Sequence, residues 1–96
     1  MSTEPIRRPV EIRNPLGLHL RPASVFVKLA QQFEAEIKVI REGYGVDAKS
    51  IIDLVTLGAS QGTKLTIEAE GRDAQAAVDA LAELVEQGFG LDESSE

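Results

Sequence analysis

The chain of 96 residues contains no cysteine, no tryptophan and a single histidine, His19. Without thiols it can form neither a disulfide framework nor a thiolate metal site. With one histidine, a zinc site would need several carboxylates, so we expect no metal. Aromatic residues make up only 4% of the sequence, and the core must therefore consist mainly of aliphatic side chains.

Long apolar runs are also missing. No segment approaches the ~20 apolar residues of a membrane-spanning helix, and the N-terminal segment has no apolar signal core. We therefore expect a cytoplasmic protein without membrane insertion.

Basic residues are few: 10 lysine and arginine side chains stand against 16 aspartate and glutamate side chains, which gives a net charge of −6. This negative charge argues against a nucleic-acid partner. Residues 1–50 carry eight basic and six acidic side chains, a net of +2, whereas residues 51–96 carry two and ten, a net of −8. This asymmetry fits an uneven solvated surface as well as it fits an electric field that steers a partner.

Apolar periodicity predicts four strands and three helices within one domain over residues 1–96. The strands are expected at 10–13, 36–41, 46–48 and 65–70, and the helices at about 20–33, 51–58 and 74–85. A turn at 42–45 makes a hairpin of the second and third strands, and Ser50 and Asp73 are candidate N-caps. The first nine residues and the acidic tail from Gln87 are expected to be mobile.

The order β-α-β-β-α-β-α predicts an α+β fold with an antiparallel sheet covered by helices on one face. His19 falls where the first helix begins, with Arg21 and Pro22 just after it. A lone histidine is most often structural or simply exposed. Here, however, the positive end of the helix dipole and the guanidinium of Arg21 would favour an anionic group on the imidazole, and a phosphoryl group is the obvious candidate.

Three segments resemble one known family. Residues 16–24 (LGLHLRPAS) are similar to the active-site signature of HPr, the histidine-containing phosphocarrier of the bacterial phosphoenolpyruvate-dependent phosphotransferase system. Residues 48–51 (AKSI) resemble its regulatory-serine motif, and residues 57–62 (LGASQG) resemble its glycine loop. The segments occur in the family's order, and the resemblance extends over about residues 8–88.

The resemblance implies an open-faced β-sandwich, with three helices on one face of a four-stranded antiparallel sheet. It also implies that His19 takes a phosphoryl group on Nδ1 from phosphorylated enzyme I and passes it to an enzyme IIA-type domain, with Arg21 holding the phosphoryl oxygens. Such a protein is a stoichiometric carrier without a cofactor rather than a turnover enzyme, and we expect a monomer. Leu20, Ile51, Ile52 and Val55 fall where the family contacts its partners.

Ser50 matches a serine that a dedicated kinase phosphorylates in many family members, although an N-cap role alone explains it. Asp53, three residues on, would repel a phosphate there. Leu20 replaces the usual small residue beside the histidine. The segment before His19 and the Gly-Phe-acidic end look like the nitrogen-related paralogue, whereas the Lys49-Ser50-Ile51 segment looks like the sugar-system form, so the branch stays open.

Two other functions remain as alternatives. The chain could be a regulatory interaction module of a nitrogen-related or incomplete phosphotransferase system that docks to kinases or transcription regulators. A small ligand-binding domain would require a defined pocket, and nothing in the sequence marks one.

Overall fold

In the computed structural model, which describes residues 4–91, the elements follow the predicted order and end in a short 3₁₀ turn. The strands are β1 (Ile6–Glu11), β2 (Glu36–Arg41), β3 (Tyr44–Asp47) and β4 (Lys64–Glu70). The helices are α1 (Leu20–Ala30), α2 (Ile51–Thr56) and α3 (Ala74–Glu86), and the 3₁₀ turn η1 spans Gly88–Gly90.

The four strands form one antiparallel sheet in the order β1-β4-β2-β3, and all the helices pack on one face of it. The fold class predicted from the sequence is therefore confirmed. Buried side chains of β4 alternate with more exposed ones, as a sheet with one covered face requires, and the buried set is Leu65, Ile67 and Ala69.

The uncovered face of the sheet carries a row of alternating charges. Arg7 pairs in register with Glu68, Glu68 with Lys38, and Lys38 with Asp47, so the signs alternate across all four strands. Arg7 Nε lies 2.7 Å from Glu68 Oε1. Opposite charges on neighbouring strands stabilise a solvated sheet surface, so this face needs no covering layer.

The expectation for β1 was wrong at both ends. It was placed at 10–13, but the strand spans Ile6–Glu11, so residues 6–9 belong to the sheet and are not a mobile arm. Arg8 interrupts the apolar alternation in the sequence, yet it points to the helical side, where its Nη2 lies 2.6 Å from Asp79 Oδ1 of α3. Pro9 is tolerated because β1 is an edge strand.

The hairpin of β2 and β3 is confirmed, but its turn is shorter than expected. β3 begins at Tyr44, so only Glu42 and Gly43 form the turn, with φ values of 51° and 83°. Two successive positive φ values match the right-handed twist of the flanking strands, as in a two-residue hairpin loop.

The C-terminal segment was expected to be frayed from Gln87 onward, and this is wrong for residues 87–91. Phe89 is only 2% exposed and lines a small internal space together with Leu18, Phe26 and Val85. Burial of this large apolar side chain holds the turn against the core, which the acidic composition of the segment conceals. The rest of the predicted tail, residues 92–96, lies outside the described residues.

Asp73 was expected to cap α3 with its side chain, and this is wrong. Its side chain makes no capping hydrogen bond, and its two carboxylate oxygens instead accept from the backbone N–H groups of Glu34 and Ala35, each at 2.9 Å. The carboxylate therefore ties the start of α3 to the segment that enters β2. The hydrogen bond from Glu34 is the main reason that the pKa of Asp73 is lowered from its ordinary value of 3.8.

Replacing Asp73 with asparagine should lower the free energy of unfolding at neutral pH, because the amide offers one weaker acceptor where the carboxylate offers two. A carboxyl group whose pKa is lower in the folded than in the unfolded state stabilises the fold when the pH is above its unfolded-state pKa. That stability is lost as the pH falls through its folded-state pKa. The denaturation curves of the two proteins should therefore differ at neutral pH and converge below pH 3.8. A difference that does not change with pH would contradict this account.

Candidate functional site

His19 is the N-cap residue of α1, and so lies where the sequence predicted that this helix begins. Its backbone is extended, with φ −88° and ψ −171°, and its carbonyl accepts a hydrogen bond from the N–H of Ala23 at 3.0 Å. The half-buried imidazole takes no part in capping the helix. The ring therefore lies at the positive end of α1 but does not accept a hydrogen bond from the N–H groups of the first turn as a capping side chain would.

The first turn of α1 adds positive charge and rigidity. Arg21 is exposed, and no acidic residue occupies this turn. Pro22 is fully buried and has the fixed φ that suits a helix start. His19 and Arg21 are thus brought together at one helix end, where a bound anion would meet both the dipole and a guanidinium.

The loop before His19 is held against a second loop. Gly17 has a φ of +75°, and a Cβ at this position would lie 2.4 Å from the carbonyl oxygen of Ala59. The N–H of Leu18 donates to the same oxygen at 2.8 Å, and the Leu18 side chain is buried. The predicted glycine loop therefore supports the histidine loop directly.

Ser50 caps α2, as predicted, because its Oγ accepts a hydrogen bond from the N–H of Asp53 at 3.2 Å. The other end of α2 is stabilised by Arg41, which the sequence did not reveal. Its Nη1 donates to the carbonyl oxygens of Leu57 and Gly58 at 2.7 and 3.1 Å. The short helix is thus fixed at both ends.

The predicted docking residues differ in exposure. Leu20 is 66% exposed, Ile52 75% and Val55 37%, whereas Ile51 packs partly against the core. Leu16, which sequence reasoning missed, is 63% exposed on the loop before His19. Since α1 and α2 pack against each other, these two elements and the loop carry an apolar surface that consists of Leu16, Leu20, Ile52 and Val55.

Within residues 4–91, no group of three or more histidine, cysteine, aspartate or glutamate side chains is placed to hold a metal ion. In the same part of the chain, none of the helices has the length and apolar character needed to cross a bilayer.

Comparison with known proteins matches residues 6–87 to the family model PTS-HPr, described as the PTS HPr component phosphorylation site. The chain belongs to the HPr family. It is 49% identical to the phosphocarrier protein HPr of Vibrio cholerae over 78 residues, which cover 81% of this chain and 92% of that protein.

Solved HPr structures share the fold. The crystal structure of HPr-C-His from Thermoanaerobacter tengcongensis superposes with a TM-score of 0.86 at 41% identity, covering 91% of this chain and 98% of that one. An HPr dimer from the same organism gives 0.72 at 44% identity, covering 85% and 94%. As a member of the HPr family, the chain is a phosphocarrier of the phosphotransferase system and works with components of that system.

Proposed function

We propose that His19 accepts a phosphoryl group on Nδ1 from phosphorylated enzyme I and passes it to a histidine of an enzyme IIA-type domain. The observation that carries this proposal is the position of His19 at the N-terminal end of α1, beside Arg21 and with no carboxylate in the first turn. A transferring phosphoryl group needs mainly correct placement and stabilisation of its negative charge, and this helix end supplies both.

The transfer is a simple exchange of bonds. The bond from phosphorus to the donor group of enzyme I breaks as the bond to His19 Nδ1 forms, and the roles reverse in the second transfer. Arg21 and the positive end of α1 stabilise the negative charge on the phosphoryl oxygens during both transfers. This stabilisation has to be modest, because a group that is held too tightly could not be handed on. The protein acts as a stoichiometric carrier without a cofactor.

The apolar surface would dock the partners. Its four exposed apolar side chains lie on α1, on α2 and on the loop before His19, and desolvation of such a surface drives association. A carrier that docks enzyme I and the acceptor in turn uses this surface twice. We therefore expect a monomer in the working state, whereas one HPr of T. tengcongensis forms a dimer in its crystal.

Regulation through a kinase acting on Ser50 stays a prediction. The Ser50 hydroxyl is half-buried and engaged with the N–H of Asp53, and the carboxylate of Asp53 lies in the same helical turn. A phosphate on Ser50 would place negative charge next to Ile51 and Ile52, but it would also meet repulsion from Asp53. The alternative function, a regulatory module, depends on the same apolar surface and needs no chemistry at His19.

Incubation with enzyme I, phosphoenolpyruvate and Mg²⁺, which enzyme I requires, tests the proposal. We expect one phosphate per chain that is acid-labile and base-stable, as a phosphohistidine is. Mapping of the labelled peptide by mass spectrometry should place it on His19. Absence of label with a cognate enzyme I, or label on another residue, would contradict the carrier mechanism.

A further inference from the structure

Asn14 is the one polar side chain that is buried between residues 4 and 91, at 4% exposure. It begins the turn Asn14–Gly17, in which the N–H of Gly17 donates to the Asn14 carbonyl at 3.1 Å. Asparagine is common at the start of such turns, but its side chain is usually solvated. A buried amide needs hydrogen-bond partners, and its position therefore requires a reason.

The Asn14 side chain holds the peptide unit that precedes Leu18. Its Nδ2 donates to the carbonyl oxygen of Gly17 at 2.7 Å. The N–H of the same peptide unit, which belongs to Leu18, donates to the Ala59 carbonyl at 2.8 Å. This peptide plane is thus fixed from both sides, one residue before His19.

The C-terminal turn η1 also lies near Asn14. A Cβ on Gly88 would lie 3.9 Å from the Asn14 Cβ, which is ordinary van der Waals contact. The neighbouring Phe89 lines the same internal space as Leu18. Asn14 therefore lies between the histidine loop and the turn η1.

We propose that Asn14 is a positioning residue for phosphoryl transfer. By holding the Gly17 carbonyl, it sets the direction in which the chain enters α1 and hence where the imidazole of His19 lies relative to the helix end. In-line transfer is sensitive to such placement. The inference rests on the proposed function, because it concerns the transfer assigned to His19.

Two variants remove the donor while keeping a residue type that is common in turns. Asn14→Asp is isosteric but presents an acceptor to the Gly17 carbonyl, and Asn14→Ser is neutral and too short to reach it. For phosphorylation by enzyme I, we expect the maximal rate to fall about tenfold in both variants. The KM for this protein should change much less, because Leu20, Ile52 and Val55 of the apolar surface lie outside the Asn14–Gly17 turn. The backbone amide resonances of Leu18 and His19 should shift, while those of Ile52 should not.

Val78→Ala is the matched control. Val78 is fully buried in α3, so its truncation lowers the free energy of unfolding while the residues of the histidine loop stay unchanged, and the maximal rate of this variant should remain that of the parent protein. Equal slowing in this control would assign the effect to stability and overturn the inference. The inference would also be wrong if both Asn14 variants showed the parent rate, or if they showed a raised KM with an unchanged maximal rate. Failure of Asn14→Ser to fold would overturn it as well.

The parent protein separates this inference from the proposed function. If His19 of the parent is not phosphorylated, the carrier mechanism itself is wrong. If it is phosphorylated and the Asn14 variants transfer normally, only the role of Asn14 is wrong.

Discussion

Replacing His19 with alanine should abolish phosphorylation by enzyme I while leaving the fold intact. The chain contains no other histidine and no cysteine, so no side chain of comparable nucleophilicity can take its place. The fold should survive because the imidazole is only half-buried and does not cap α1, and because the His19 carbonyl, which alanine retains, accepts the hydrogen bond from the Ala23 N–H. Label transfer from phosphoenolpyruvate measures the first effect, and chemical denaturation measures the second.

The same variant separates the carrier from the regulatory module. A carrier loses every downstream effect with His19, whereas a module that acts only by docking retains control of its partners, since Leu16, Leu20, Ile52 and Val55 are unchanged. Glu83→Gln, an exposed change on α3, serves as the control and should behave as the parent protein in both assays. Residual acid-labile phosphate on the His19→Ala protein would show that the phosphoryl group resides elsewhere.

The centre of the candidate site could be predicted because its signals are local. Gly17, His19, Arg21 and Pro22 lie within six residues, and helix-start chemistry depends on neighbours in the sequence. The supports of the site could not be predicted in this way. Asn14 donates to the Gly17 carbonyl from a buried position, and the Arg41 side chain reaches the carbonyls at the end of α2; both contacts depend on how the folded chain packs.

In the fold, too, features with local sequence signals could be predicted, and features that depend on tertiary contacts could not. The long apolar stripe of α3 and the alternation in β4 predicted their elements closely, because each repeats its signal over several turns or residue pairs. The expectations for β1 and Asp73 were wrong because they depended on partners distant in sequence. Arg8 interrupts the apolar alternation of β1, and its ion pair with Asp79 of α3 is visible only in the folded chain. Asp73 was a candidate N-cap, but its carboxylate binds the N–H groups of Glu34 and Ala35.

Gly17→Ala should be among the most damaging single-methyl changes in the chain. The new Cβ would lie 2.4 Å from the Ala59 carbonyl oxygen and 2.8 Å from the Ser60 Cα, and both are backbone atoms that cannot rotate away. The φ of +75° adds strain for any residue with a side chain. We expect the free energy of unfolding to fall by about 2–4 kcal/mol, measured by chemical denaturation. Transfer by the remaining folded protein should also slow, since Leu18 loses its anchor just before His19.

Gly43→Ala isolates the close approach from the backbone strain. Gly43 has a φ of +83° in the β2–β3 turn, but a Cβ there would meet nothing within 4 Å. This control should therefore lose only about 1 kcal/mol, the cost of the left-handed conformation, and its transfer rate should be unchanged. The difference between the two variants measures how tightly the histidine loop is seated on the loop at Ala59. Equal losses in both would mean that the two loops separate easily, and that the histidine loop does not depend on this contact for its position.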